Sequence, residues 1–439
     1  MRRLIFLSVV CVAVWLGARP AWAQGGEVLQ LEISGPVTPA MAGYFARGIE
    51  AAVAADATAV LVILDTPGGN LDPMLDIVQL FRGADVPVIV YVAPSGAQAA
   101  SAGAIITIAA HASGMAPETV IGAASPVGDG GADLDETIFR KLTEDMKAQV
   151  RGLAARRGAA AVALAEAMID EARAVHADEA LEVGLIDAVA ADVPALLAQL
   201  DGLVVVVDGR EVALETAVGE PTPFDMNLLE MVLHALANPV LVGLLLAIGA
   251  QAILIELSSP GGWVAGFTGV LAIGMALYGA GQLPVNWLGL GLILLAFALF
   301  IAEVLATNHG ALGITGAVTM LVGLLVLFNS PGSPEFARIS IPGAIGISLL
   351  TAAFFIFLAT KALQAQHGQA HTGAEGLVGQ RGPVRRVQPA AVKGGPYGGT
   401  VLVNGELWRA QADVPLEAGQ IVEVTAVNGF TLRVKPAAA

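Results

Sequence analysis

Between residues 228 and 364 the chain carries few charges and holds five apolar runs, at 240–257, 263–281, 287–305, 312–328 and 341–363. Each is near the ~20 residues that a helix needs to cross about 30 Å of hydrocarbon. Helices from the core of a water-soluble protein rarely come five in a row with so few charges. Residues 226–365 therefore read as an α-helical membrane domain of about five spans in contact with lipid. That block constrains the rest, because backbone in a bilayer must satisfy its own hydrogen bonds and the remaining chain must fold as separate domains around it. Composition agrees: 14% of residues are charged, against about 25% in soluble domains. Glu256 and Glu303 lie at or near the ends of apolar runs, where an ionisable group has either a specific role or an interfacial one. Trp263 and Trp287 read as interface anchors.

The N-terminus has the form of a secretory signal over 1–23. Arg2 and Arg3 precede an apolar stretch at 4–15, too short to span, and Ala21-Trp22-Ala23 offers a small-residue cleavage pattern. Cys11 falls inside that leader, so a chain cut after Ala23 has no thiol chemistry and no disulfide. The net charge of −16, without a basic stripe, argues against nucleic acid.

Residues 24–225 alternate short β-rich runs with amphipathic stretches. Strands are expected at 28–33, 59–64, 88–92, 119–121 and 185–189. Helices are expected at 38–54, 71–81, 101–109, 137–156, 160–169 and 193–200. Strands separated by helices imply crossover connections and a mostly parallel sheet covered on both faces. A strand pair at 203–207 and 210–215 around Asp208-Gly209 reads as a hairpin. Residues 366–439 are polar again. Short runs at 376–378, 383–387, 399–403, 406–411, 420–427 and 431–435, broken by Gly-containing turns, indicate a small all-β barrel with Trp408 in its core.

Two segments carry the chemistry. Asp65-Thr66-Pro67-Gly68-Gly69-Asn70 follows one strand, and Gly96-Ala97-Gln98-Ala99-Ala100-Ser101-Ala102-Gly103 follows another. Each runs from a β-branched strand through a small-residue turn into a helix. That form presents backbone N–H groups beside a hydroxyl, as a serine nucleophile and its oxyanion require. No His, Cys or Asp cluster has metal-ligand spacing and no phosphate-binding glycine loop occurs, so neither metal nor cofactor is expected.

Together with Met115-Ala116-Pro117, Ile121-Gly122-Ala123-Ala124-Ser125-Pro126 and the segment 177–187, these motifs resemble the long form of the NfeD membrane-bound serine proteases. That family is distantly related to the Clp protease and crotonase fold. The resemblance spans nearly the whole mature chain. It implies an α/β Clp/crotonase-like domain, a multi-span membrane domain and an OB-like barrel.

Ser101 is the expected nucleophile, at a helix start whose partial positive potential favours a developing alkoxide. The amides of Gly68 or Gly69, with that of Ala102, are the expected oxyanion donors. The family uses a lysine base about forty residues after the serine, and the matching position is Lys141, in Ile138-Phe139-Arg140-Lys141-Leu142. Lys147 is the alternative base, six residues on and on a different helical face. Arg140 and Arg151 stay protonated and cannot serve. His111 and His176 have no acidic partner placed by the sequence, so a Ser–His–Asp triad is disfavoured.

The resemblance further implies endopeptidase action on apolar stretches of a stomatin- or prohibitin-like membrane protein, and at least a homo-dimer. An exported N-terminal domain and an odd number of spans would leave the barrel in the cytoplasm. The competing reading is a non-enzymatic scaffold that organises stomatin-like partners or membrane microdomains.

Overall fold

The computed structural model describes residues 26–127, 135–217, 220–258, 262–305, 310–330, 333–367, 374–388 and 397–437; the leader expected at 1–23 lies outside them. The chain divides into a unit running to Phe355 and a second unit from Ile356.

Strands β1 (Val28–Ser34), β2 (Ala59–Asp65) and β3 (Val88–Val92) alternate with helices α1 (Pro39–Ala54) and α2 (Leu71–Arg82). Strand β4 (Gln98–Ala100) then leads into α3 (Ala102–Ala109), followed by β5 (Ala112–Met115) and β6 (Val120–Gly122). Next come α4 (Glu136–Ala154), α5 (Ala159–Asp170), β7 (Ala174–His176), α6 (Ala177–Glu182), β8 (Ala188–Val189) and α7 (Val193–Leu200). A hairpin of β9 (Val204–Val207) and β10 (Arg210–Ala213) precedes β11 (Thr222–Pro223). The main sheet is parallel throughout, in the order β11-β1-β2-β3-β5-β8. Successive residues of a strand point to opposite faces, which feeds two cores. Val60, Val62 and Leu64 join Met41, Phe45 and Phe81 in one, while Ala59 and Leu61 join Tyr91 and Leu196 in the other. A second sheet, β4-β6-β7, sits beside this main one.

Four strands, β4, β5, β7 and β11, were absent from the sequence expectation. They are two to four residues long, too short for a run of β-branched residues to mark them. The strand expected at 185–189 shrinks to Ala188–Val189, because the Leu185 and Ile186 amides both donate to Ala180 O at the end of α6.

All five apolar runs are helical: α9 (Pro239–Ser258), α10 (Val264–Ala280), α11 (Trp287–Leu305), α12 (Ala311–Phe328) and α13 (Ile341–His367), preceded by a separate short helix α8 (Leu228–Ala235). Among the described residues, four helices are long and apolar enough to cross a membrane; α10, with 17 residues, is shorter. α9 packs antiparallel on α10, and α11 on α12. Small residues allow the close approach, Gly269 facing the Gly249 carbonyl and Gly323 facing Gly289.

The second unit contains a closed barrel of β12 (Arg381–Gln388), β13 (Tyr397–Val403), β14 (Glu406–Ala412), β15 (Ile421–Asn428) and β16 (Thr431–Pro436), in the order β12-β13-β14-β16-β15. Val384, Val401, Val422 and Leu432 fill it, and Trp408 packs half-buried against that core. The run expected as a strand at 376–378 instead continues a short 3-10 turn, Ala374–Leu377, whose Leu377 side chain is buried in the barrel core.

Candidate active site

Backbone pairing brings the two motifs together. Thr66 and Ala99 form an isolated parallel bridge, in which Thr66 N–H donates to Gln98 O (2.7 Å) and Ala100 N–H donates to Thr66 O (3.0 Å). Asp65 adds a side-chain contact, its Oδ1 accepting from the Gln98 amide at 3.0 Å. The turn after β2 is thereby fastened to the strand that delivers Ser101.

Ser101 stands between β4 and α3 with φ +52 and ψ −118, a conformation sparsely populated by non-glycine residues. Its own N–H donates to Gly122 O at 2.7 Å, which fixes the strained turn. α3 behind it is buried along its whole length, so its N-terminal potential acts with little solvent screening. Gly68 adopts φ +106 and lies against the serine: a Cβ added there would come within 2.7 Å of Ser101 Cβ. Gly69 is as tightly held, since a Cβ on it would meet the Val37 backbone at 2.4 Å. The Gly68 N–H donates to Thr66 Oγ1 (3.1 Å), whereas the Gly69 and Ala102 amides have no acceptor among the described residues.

Lys141 lies in the second turn of α4, and α4 packs against α3. Its side chain is exposed and, among the described residues, has no ion pair and no hydrogen bond, so none joins it to Ser101. α4 is anchored at its far end by the Arg156-Arg157 pair. Arg156 donates to Ala110 O (2.5 Å), and burial pushes its guanidinium down to about 10. Arg157, whose side chain is only 3% exposed, donates to Ser113 Oγ and pairs with Asp187 at 3.0 Å. Thr143, Met146, Val150 and Ala154 form the buried stripe of the helix. Lys147 lies beside that stripe and is paired with Asp170 at 2.6 Å and Glu144 at 3.5 Å. The hydrogen bond to Asp170 raises its pKa and keeps it an ammonium, the wrong state for a base.

The histidines have other roles. His111 Nδ1 accepts from the Val88 amide (3.0 Å), and burial pushes this imidazole down to about 4. His176 precedes α6, but its side chain does not cap the helix. Glu256 and Glu303 also find partners. Glu256 accepts from the Trp263 and Gly266 amides, and Glu303 from those of Gly310, Leu312 and Gly313. Each glutamate thus caps the N-terminus of the helix that follows it. Among the described residues no cluster of His, Cys, Asp and Glu could hold a metal ion.

Sequence reasoning gave Thr66 no role of its own and missed Val37 and the residues of α8. The spacing Asn227-x-x-Glu230 is a capping-box pattern that marks the start of that helix, and both reciprocal bonds form.

Comparison with known proteins follows the same three-part division. The NfeD1b N-terminal domain matches residues 27–203, the NfeD integral membrane domain 240–361, and the NfeD-like C-terminal, partner-binding domain 374–436. The membrane-bound protease PH1510 of Pyrococcus horikoshii is 32% identical over 98% of this chain and 97% of its own length. This chain belongs to the NfeD family. The membrane protein NfeD1b of Bacillus subtilis is 28% identical over 75% of this chain and 72% of its own. Among solved structures, a lysine-to-alanine mutant of the 1510-N membrane-bound stomatin-specific protease, in complex with a substrate peptide, is 32% identical. It covers 48% of this chain and 98% of that one, with a TM-score of 0.45. The α/β domain, the apolar helices and the barrel are therefore the three parts of an NfeD protein, and the whole-length relative is a protease.

Proposed function

We propose that this chain is a membrane-bound serine endopeptidase that cleaves apolar segments of stomatin- or prohibitin-like membrane proteins through an acyl-enzyme. The observation that carries the reading is the Ser101 turn, a non-glycine residue held at φ +52 at the head of a buried helix and against a glycine loop. Ser101 Oγ attacks the scissile carbonyl and Lys141 takes the hydroxyl proton. The developing oxyanion is received by amides of the Gly68–Gly69 loop and of Ala102. Collapse breaks the C–N bond as Lys141 returns the proton to the leaving amine, and water then hydrolyses the ester. Lys141 is exposed before substrate binds, so an apolar segment closing over it supplies the desolvation that a neutral lysine needs. The substrate class is that of the stomatin-specific relative. A homo-dimer or larger assembly is part of this proposal.

The leader expected at 1–23 favours an α/β domain outside the cytoplasm, and five crossings would then leave the barrel inside. Support for five comes from Gln282, between α10 and α11, whose carbonyl accepts from Asn70 of the α/β domain. α9 and α10 then run out and back as a hairpin. The exposure of Lys141 favours the rival reading of a scaffold without catalysis. A fluorophosphonate probe on the full-length protein separates the two: labelling lost in Ser101→Ala is expected. A folded wild type that does not label, or a Ser101→Ala variant that cleaves an apolar peptide at the wild-type rate, overturns the protease reading.

A further inference from the structure

Helix α8 joins the α/β domain to the first apolar helix, and its two faces differ. Leu228, Leu229 and Met231 are more than half exposed, as suits a helix lying at the lipid interface directly before α9. Glu230 and His234 point the other way, onto the α/β domain. Glu230 forms a two-pronged pair with Arg47 of α1, at 2.8 and 2.6 Å. Arg47 also donates to Asp225 O and stacks 4.2 Å over the Phe224 ring. One turn on, His234 Nε2 is 2.8 Å from Ser34 O, so it carries the proton and donates; Nδ1 then accepts from Thr38 Oγ1 at 3.4 Å.

Ser34 and Thr38 bracket Val37, the residue that holds the glycine loop. Val37 N–H donates to Gly68 O (2.8 Å), and Asn70 N–H donates to Val37 O (3.2 Å), so Gly69 is gripped on both sides. From the membrane block, the Gln282 carbonyl accepts from Asn70 Nδ2 at 3.4 Å. Two contacts from membrane-associated segments thus converge on the four residues around the oxyanion loop.

We propose that α8 and the 281–286 connection brace the Gly68–Gly69 loop in its reactive geometry, with His234 and Asn70 as positioning residues. The consequence for catalysis rests on the protease reading above. Neither side chain touches the reacting atoms. They act by fixing the direction of an amide that must meet the oxyanion, a placement to which rates are steep.

The test uses the full-length protein in detergent or nanodiscs, with an apolar peptide substrate. In His234→Ala, kcat falls about tenfold with KM within about twofold, less than the ~10²-fold cost of deleting an oxyanion donor. His234→Gln, whose amide can still donate to Ser34 O, returns kcat to near wild type. Asn70→Ala shows the same split and carries the test where His234→Ala fails to fold. Hydrogen exchange in residues 66–71 is measured alongside, since it needs no catalysis. Faster exchange in His234→Ala but not in His234→Gln is expected. Should the loop loosen while the wild type is inert, the protease reading falls and the structural brace stands. Unchanged exchange overturns the brace, and so does a loosened loop with unchanged kcat in an active enzyme.

Discussion

A Cβ built on Gly68 would lie 2.7 Å from Ser101 Cβ and 3.3 Å from its Oγ. The glycine loop and the serine turn are therefore one site, and the loop can approach the nucleophile only without a side chain. Gly68→Ala adds both that clash and the strain of an L-residue at φ +106. We expect a loss of about 1–3 kcal/mol in stability and a fall in peptide cleavage of about 10²-fold or more as the oxyanion amides move. Thermal unfolding and fluorophosphonate labelling measure the two effects separately. Activity within a few-fold of wild type would show that the loop does not serve the serine.

The two lysines should behave oppositely. Lys141→Arg keeps a permanent positive charge and cannot accept the serine proton, so cleavage should drop to the level of Ser101→Ala. Lys147→Arg preserves the pair with Asp170 and should change kcat/KM little. That pair is partly exposed and screened by solvent, so unfolding should also move little. Cleavage surviving in Lys141→Arg and lost in Lys147→Arg would transfer the base to Lys147.

The parallel sheet was legible because its strands are unbroken apolar runs separated by helices, as in 88–92, where all five residues are buried. The serine turn was legible from small residues after such a run. The strand that delivers it, Gln98-Ala99-Ala100, was not, since its pairing partners Val120–Gly122 are distant in sequence and its own residues carry little β preference. The exposure of Lys141 was also hidden. Periodicity assigns α4 a buried stripe through Thr143, Met146 and Val150, but spacing alone does not fix what covers the flank of that stripe. His234 gave no signal at all, because its contacts depend on how the chain after β11 returns to the end of β1.

His111 makes stability depend on acid. Burial, with Arg82 and Arg156 adding repulsion, pushes it from 6.5 down to about 4, and its buried Nε2 has no partner among the described residues. The unfolded chain therefore takes up the proton first as pH falls. Stability from this residue is intact above about 6.5 and is lost progressively towards pH 4, about 3 kcal/mol in all. His111→Asn retains an acceptor for the Val88 amide but does not titrate. In thermal unfolding between pH 7 and 4, the wild type should lose stability relative to this variant as pH falls through that window. Parallel curves would mean that the buried imidazole is not the titrating group.

The last prediction concerns the short helix α10, which decides where the barrel lies. Its 17 residues span roughly 25 Å at 1.5 Å per residue, about 5 Å less than a typical hydrocarbon core. Local thinning of the bilayer meets such a mismatch at a fraction of a kcal/mol per Å. Two contacts favour a full crossing. Gln282, after α10, meets Asn70 of the α/β domain, and Glu256 caps the other end of the hairpin through the Trp263 and Gly266 amides. With α9, α11, α12 and α13, a crossing α10 makes five, and the chain ends on the side opposite to where the α/β domain lies. Charge points the same way: Lys361 lies near the end of the last span and Arg381, Arg385 and Arg386 follow it, whereas Glu215, Glu220 and Asp225 precede the first. An alkaline phosphatase fused after Ala439 should therefore be inactive, and a fluorescent protein that folds only in the cytoplasm should be bright. An active phosphatase would mean that α10 does not cross, leaving four spans and the barrel on the same side as Ser101.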